Sequence, residues 1–270
     1  MTKRVGILYF SPTSSTRSIC SAISSGMGVE EPQFFNMTIP ELRTDLIANA
    51  GADLNMMDHL IIGSPVYSGK LPSQVIDCIK AIGGKRTKCS AVVVYGNRDY
   101  GIALHNMVDL LSQNGFEVVG AGAFIGQHSY SDLVPVAMGR PDKSDIELAQ
   151  AFGKKCAGTL NRLDLNKIPV QMDRFAKSEK YSAIKPSYLE KRCLQCGKCT
   201  KACPLGLILF ETGIVMTQKS EKQCIGCMAC VQHCKPKART LKTNPFVKVI
   251  MKGILKEALQ NRKEPLMIFG

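Results

Sequence analysis

Val5-Gly6-Ile7-Leu8-Tyr9-Phe10, followed directly by Ser11-Pro12-Thr13-Ser14-Ser15-Thr16, joins an unbroken apolar run to a hydroxyl-rich turn. An apolar run without alternation marks a strand buried on both faces, as in a parallel sheet covered by helices. Beyond the turn, Ile19, Ala22 and Ile23 recur at helical spacing. Hydroxyls and backbone N–H groups at a strand-to-helix turn form an anion nest, reinforced by the helix N-terminus. Ser11, Thr13, Ser14, Ser15 and Thr16 are therefore candidate phosphate-binding residues, although a simple Ser/Thr helix cap uses the same residue types.

The same alternation continues outward. Phe34-Phe35 lies in a second short strand, and Pro40-Glu41 opens a helix, with proline in its favoured first turn. His59 to Gly63 reads as a third strand, and Pro72 opens a helix carrying Val75, Ile76 and Ile79. Cys89 to Tyr95 and Phe116 to Ile125 are the fourth and fifth strands, separated by a helix over Ala103 to Leu111, and a last helix is predicted over 144–164. Successive strand–helix pairs require crossovers, so the expectation is an α/β fold, a doubly wound five-stranded parallel sheet with helices on both faces. Gly120-Ala121-Gly122 is not a dinucleotide fingerprint, because Ile125 stands where the third glycine belongs and the run lies inside a strand.

In open α/β sheets ligands bind beyond the C-terminal strand ends. Two further loops lie there. Ser64-Pro65-Val66-Tyr67-Ser68-Gly69 follows strand three, and Gly96-Asn97-Arg98-Asp99-Tyr100-Gly101 follows strand four. Each supplies an aromatic ring, glycines and polar backbone, suited to holding a flat heterocycle. Arg98 beside a bound redox heterocycle would stabilise its anionic reduced form, and a surface pair with Asp99 accounts for it equally well. His128 lies near the end of strand five, where it could approach the edge of such a ring, although a polar loop residue is the plainer reading.

The C-terminal part carries different chemistry. Cys193-x2-Cys196-x2-Cys199-x3-Cys203-Pro204 is repeated as Cys224-x2-Cys227-x2-Cys230-x3-Cys234. Closely spaced thiolates of this kind suit the irons of a cubane cluster. Zinc sites space two CxxC pairs by a dozen or more residues, and three cysteines at every third position do not fit that pattern. Eight of the twelve cysteines are used by the two motifs. Cys20, Cys78, Cys89 and Cys156 fall in apolar or helical contexts and read as buried free thiols.

Net charge is +13, and all of it falls in 167–270, where 20 Lys and Arg face 7 Asp and Glu. The field favours docking on an acidic partner, an anionic lipid surface or nucleic acid, and a solvated basic surface accounts for it equally well; Lys191, Lys198, Lys201, Lys219, Lys222, Lys235 and Lys237 flank the cysteines. No apolar run is long enough to span a membrane, and the apolar stretch after the N-terminal basic residues is too short for a signal peptide. A cytoplasmic protein is expected. Nucleic-acid binding is not, since helix-turn-helix and aromatic-studded strand patterns are absent. Apolar residues at helical spacing from Pro245 to Arg262 predict a terminal amphipathic helix, with weak membrane-surface association a lesser option.

The cysteine block resembles bacterial-type two-cluster ferredoxins. That likeness implies two [4Fe–4S] clusters with crossed ligands: Cys193, Cys196, Cys199 and Cys234 for one, and Cys224, Cys227, Cys230 and Cys203 for the other. The three loops resemble the phosphate and isoalloxazine loops of flavodoxins, which implies strand order 2-1-3-4-5 and FMN as cofactor. The phosphate loop differs from T-x-T-G-x-T in having Ser14 for glycine and Ser11 for the first threonine. The two halves in this order resemble the flavodoxin–ferredoxin fusion proteins of anaerobes, as do Gly96–Gly101 and Gln127–Ser131. The expected layout is a flavodoxin-like domain over 1–166, a linker over 167–184, a small α+β dicluster domain over 185–243, and a helix and tail over 244–270. The expected function is electron relay between FMN and the clusters, serving an acidic redox protein. A ferredoxin-dependent flavin reductase acting on a bound substrate is the alternative, and a redox-sensing nucleic-acid binder a weaker one.

Overall fold

The computed structural model describes residues 4–49, 51–159, 161–170, 184–209, 222–241 and 243–270. Lys219 and most of the expected linker lie outside the described residues. Strands β1 (Val5–Tyr9), β2 (Gln33–Asn36), β3 (His59–Pro65), β4 (Lys88–Tyr95) and β5 (Glu117–Ile125) form a parallel sheet of order 2-1-3-4-5. Their sequences are continuously apolar because both faces are covered. Along β4, Cys89, Ala91, Val93 and Tyr95 enter one core while Val92 and Val94 enter the other.

On the first face lie α2 (Pro40–Asn49), α3 (Gly51–Asn55), α4 (Ser73–Ile82) and α5 (Ala103–Gln113), which contribute Leu46, Leu54, Val75, Ile79, Leu104 and Val108 to that core. On the second lie α1 (Ser15–Gly26) and α6 (Lys143–Gly158), contributing Ile19, Ile23, Ala149 and Phe152. Helix α6 is shorter than the predicted 144–164. It stops at Gly158, Thr159 turns extended, and the chain returns to the sheet where the Leu163 N–H donates to Val118 O at 2.7 Å.

The tail differs from the expectation more sharply. Helix α7 (Pro245–Ile254) and the short α8 (Lys256–Gln260) are followed by a strand, Leu266–Phe269, which pairs antiparallel with β5 as a sixth strand. In chain order this is β8, since β6 (Ser187–Tyr188) and β7 (Arg239–Thr240) form a separate antiparallel clip around the cysteines. Phe269 packs against Phe152 at 5.3 Å between centroids, so the last strand closes over the α6 core. The cysteine segment is thus a span of chain whose two ends are both fixed to one sheet. Among the described residues no helix is long and apolar enough to cross a membrane.

Helices α1 and α6 approach closely enough that neither tolerates a β-carbon at the crossing. A Cβ on Gly153 would lie 2.0 Å from Ile23 O, and one on Gly26 would lie 2.0 Å from Gln150 O. Alanine normally gains up to ~1 kcal/mol over glycine within a helix. Here the obstacle is backbone that cannot rotate aside, and overpacking costs about 1–3 kcal/mol or more. Gly153→Ala is therefore expected to lower the urea midpoint of unfolding, and an unchanged or raised midpoint would contradict this close crossing.

Candidate functional site

The C-terminal ends of β1, β3, β4 and β5 surround a cleft of about 750 Å³, its open mouth included. Its lining contains the predicted Thr13, Ser15, Thr16, Pro65, Val66, Tyr67, Ser68, Gly96 and Arg98. The first-turn N–H groups of α1 have no intrahelical carbonyl to bond and sit beside the Thr13–Thr16 hydroxyls, which suits an anion. Ser14 has φ of 69°, a left-handed backbone that glycine adopts without strain. Ser11 braces the loop, its N–H donating to Thr38 Oγ1 at 2.7 Å and its Oγ accepting from the Arg17 N–H at 3.1 Å.

The remaining predicted loop residues do not line the cleft. Ser64 is fully buried within β3. Gly69 and Gly101 meet backbone to backbone, since a Cβ on Gly101 would lie 2.6 Å from Gly69 O, and this contact locks the two loops together. Asp99 Oδ1 accepts from the Gly101 N–H at 2.7 Å, and Tyr100 turns inward to pack edge-on against Tyr95. Asn97 turns away altogether. Its Nδ2 donates to Ala258 O and Asn261 O at 2.7 and 2.8 Å, and its Oδ1 accepts from Lys263 N and Arg140 Nη1 at 3.0 and 3.2 Å. A buried amide with every group paired is a structural clamp, not a cofactor contact.

Residues not predicted for the site complete the cleft: Tyr95, Gln127, His128, Tyr130, Ile225 and Gly226. His128, expected as a polar loop residue with approach to the ring edge a lesser option, is one of these. Here its ring closes against Gly96, where a Cβ would lie 2.7 Å from His128 Cα. Nδ1 accepts from the Tyr130 N–H at 3.0 Å, so the neutral ring carries its proton on Nε2. Burial and the nearby Arg98 cation push the His128 pKa down to about 4. Ile225 and Gly226 come from inside the second cysteine motif, and no spacing in the sequence announces that contact.

The eight motif cysteines gather as two groups. Cys193, Cys196, Cys199 and Cys234 line one small recess with Tyr188 and Arg239. Cys203, Cys224 and Cys230 are the thiols that act on Cys227, whose burial raises its pKa well above the ordinary thiol value. Among the described residues no three His, Cys, Asp or Glu side chains form a site for a single metal ion. The two halves repeat in backbone as well as in sequence. Gln195 and Gly226, Gly197 and Met228, and Gly206 and Lys237 occupy matching positions, and all six have positive φ. These turns aim N–H groups at sulfur: Gln195 N to Cys193 Sγ at 3.3 Å, Gly226 N to Cys224 Sγ at 3.4 Å, Leu207 N to Cys203 Sγ at 3.4 Å and Arg239 N to Cys234 Sγ at 3.2 Å. Donors directed at four sulfurs fit thiolates that carry the negative charge of a cluster, the chemistry of an iron–sulfur site.

Residues 185–235 match the family model of the 4Fe-4S dicluster domain. The chain is also similar to a flavodoxin from the domain Archaea, with 15 % identity over 57 % of this chain and 96 % of that one and a TM-score of 0.41. Flavodoxin 1 from Bacillus cereus gives 17 %, 59 %, 100 % and 0.43 for the same quantities. The rubredoxin oxygen:oxidoreductase of Desulfovibrio gigas gives 16 %, 58 %, 35 % and 0.44, so this chain spans about a third of its length. No curated protein matches the chain. The strand order is that of the flavodoxin-like fold. The chain thus joins an α/β unit of flavodoxin-like strand order to a segment that matches the 4Fe-4S dicluster domain.

Because His128 is held neutral in the fold and takes a proton more readily when unfolded, stability is present above pH ~6.5. It declines as pH falls toward ~4, by no more than about 3 kcal/mol for this one group. Denaturation measured between pH 7.5 and 4.5 should show a shallower acid loss in His128→Gln than in the unaltered chain. Equal slopes would mean that the ring is not held neutral.

Proposed function

We propose that the chain relays electrons between FMN in the cleft and two [4Fe–4S] clusters, one on Cys203, Cys224, Cys227 and Cys230 and the other on Cys193, Cys196, Cys199 and Cys234. The observation that carries this reading is the shared wall. Ile225 and Gly226, flanked by Cys224 and Cys227, line the cleft together with Tyr67 and Val66. The same loop enters the core of the α/β unit, where Ile225, Cys227 and Ala229 pack among its buried residues.

When bound, FMN exchanges one or two electrons and each [4Fe–4S] cluster exchanges one, which lets the chain couple two-electron to one-electron carriers. Thr13, Ser15, Thr16 and the start of α1 hold the terminal phosphate. Tyr67, Val66 and Tyr130 enclose the ring system and keep water from it. Arg98 places a cation beside the cleft, and His128, neutral above pH ~4, offers a proton on Nε2 without adding charge. Burial holds the free Cys227 and Cys230 thiols protonated at neutral pH, so cluster assembly releases their protons. The work is placed in the reducing cytoplasm, where thiols persist.

Anaerobically prepared protein should contain about eight iron and eight sulfide per chain with one FMN. In rapid-mixing experiments, Cys227→Ser should slow electron exchange between flavin and iron–sulfur chromophores by more than an order of magnitude, while Cys196→Ser leaves the first exchange intact. Equal effects of the two substitutions would remove the shared-wall route.

An acidic redox protein is the proposed partner. Lys191, Lys198, Lys201, Lys222, Lys235 and Lys237 are all exposed around the cysteine loops. Charge reversal there should slow second-order reduction by an acidic ferredoxin, most strongly at low salt, because the screening length is already ~8 Å at physiological ionic strength. A rate insensitive both to salt and to reversal would rule out electrostatic docking on this face.

A further inference from the structure

Arg239 is 2 % exposed, and among the described residues its Nε and Nη2 have no hydrogen-bond partner. A buried guanidinium with unspent donors is strongly unfavourable unless an anion meets it. What surrounds it is specific. Strands β6 and β7 pair Tyr188 with Arg239, and the guanidinium carbon stands 4.8 Å from the Tyr188 ring centroid. The Arg239 backbone N–H donates to Cys234 Sγ at 3.2 Å. The side chain itself lines the recess formed by Cys193, Cys196, Cys199 and Cys234. The clip therefore holds a cation, with its N–H groups available, against one four-cysteine set.

Among the described residues the other set is lined by no second cation with unspent donors, although the Arg239 charge also acts on its Cys230. The two motifs are offset by 31 positions, so Ile208 stands in the first repeat where Arg239 stands in the second, and it is buried and apolar. Cations do lie near Cys203 and Cys224, but their donors reach carbonyl oxygens. Arg43 Nη1 donates to Met37 O at 2.7 Å, and Nη1 and Nη2 both donate to Pro204 O at 3.3 Å. Lys185 Nζ donates to Cys224 O.

We propose that Arg239 donates hydrogen bonds to the [4Fe–4S] cluster held by Cys193, Cys196, Cys199 and Cys234 and raises its reduction potential more than that of the other cluster. A fixed cation favours the more negative, one-electron-reduced state of the group it touches. The larger gain falls on the set that does not border the cleft, so Arg239 draws the electron away from the flavin side. The inference rests on reading the two cysteine sets as cluster sites. Arg239 is a positioning and tuning residue; it is not a cluster ligand.

The test uses full-length, anaerobically purified protein, with iron and sulfide counted first and each cluster's midpoint potential then followed by EPR-monitored redox titration. Signals are assigned by comparison with Cys196→Ser. In Arg239→Gln the equilibrium constant for reducing the Cys193/196/199/234 cluster should fall ~10- to 100-fold, the scale of a lost charge-assisted hydrogen bond. The second cluster should move less, and Arg239→Lys, which keeps the cation, should retain most of the effect. If both clusters are present and neither potential moves, or both move equally, the proposal fails while the two-cluster reading stands. Should Arg239→Gln lose the cluster, Arg239→Lys decides. A loaded Lys variant with a near-native potential supports the role of charge, and loss of the cluster in both variants overturns it. Fewer than two clusters in the unaltered protein would instead defeat the underlying reading.

Discussion

The arrangement depends on a buried polar knot at the end of β4. Arg140 forms an ion pair with Asp145 at the start of α6, donating from Nε to Oδ2 at 2.8 Å and from Nη2 to Oδ1, and also donates to Asn97 Oδ1 and Lys263 O. Asp145 is fully buried and shares a capping box with Asp142, which in turn pairs with Arg262 at 2.7 Å. A buried ion pair gains stability only when its remaining donors and acceptors are satisfied, and here backbone and amide groups satisfy them. Removing one partner would strand a charge at a cost of about 3–5 kcal/mol. The knot ties the segment before β8 to the loop after β4, and so to one wall of the cleft. Both ends of the cysteine segment are then fixed to one sheet, which limits where its loops can settle.

Within that limit, the Cys224–Cys227 loop meets the strand ends where the cleft lies, through Ile225 and Gly226. Ile225 and Ala229 are buried in the main core, while Met228, Val231 and Ile208 form a smaller core of their own with Cys199 and Cys230. Cys227 is therefore embedded in the α/β unit, whereas the satellite cluster brings members of both sets together, Cys193 and Cys199 from one and Cys203 and Cys230 from the other.

Much of this was legible in the sequence. The apolar runs gave five strands because burial on both faces leaves an unbroken pattern, their order followed from the likeness of the loops to flavodoxins, and the cysteine spacing needed only the observation that four thiolates bind a cubane. Ser14 is instructive. Its departure from glycine was visible, and the positive φ there shows why glycine suits the position. The illegible parts were long-range. Leu266–Phe269 is a short apolar run with no turn signal pairing it to β5, so it read as a tail. Asn97 looked like a ligand residue because its loop was right, but its amide serves partners at 258–263, far away in sequence.

Local repetition also conceals difference. The two cysteine motifs share spacing and positive-φ positions, so a reading of ligands alone makes the two sets equivalent. Their electrostatic settings are decided by residues outside the motifs: Ile208 against Arg239, and cations that spend their donors on carbonyls against one that does not. Second-shell donors commonly tune a metal site as much as its ligands do. In a relay, direction follows from the difference between sites. A pair of identical cysteine sets acquires that difference only through such neighbours, and the strand clip that pins Arg239 beneath Tyr188 supplies it with a rigid geometry.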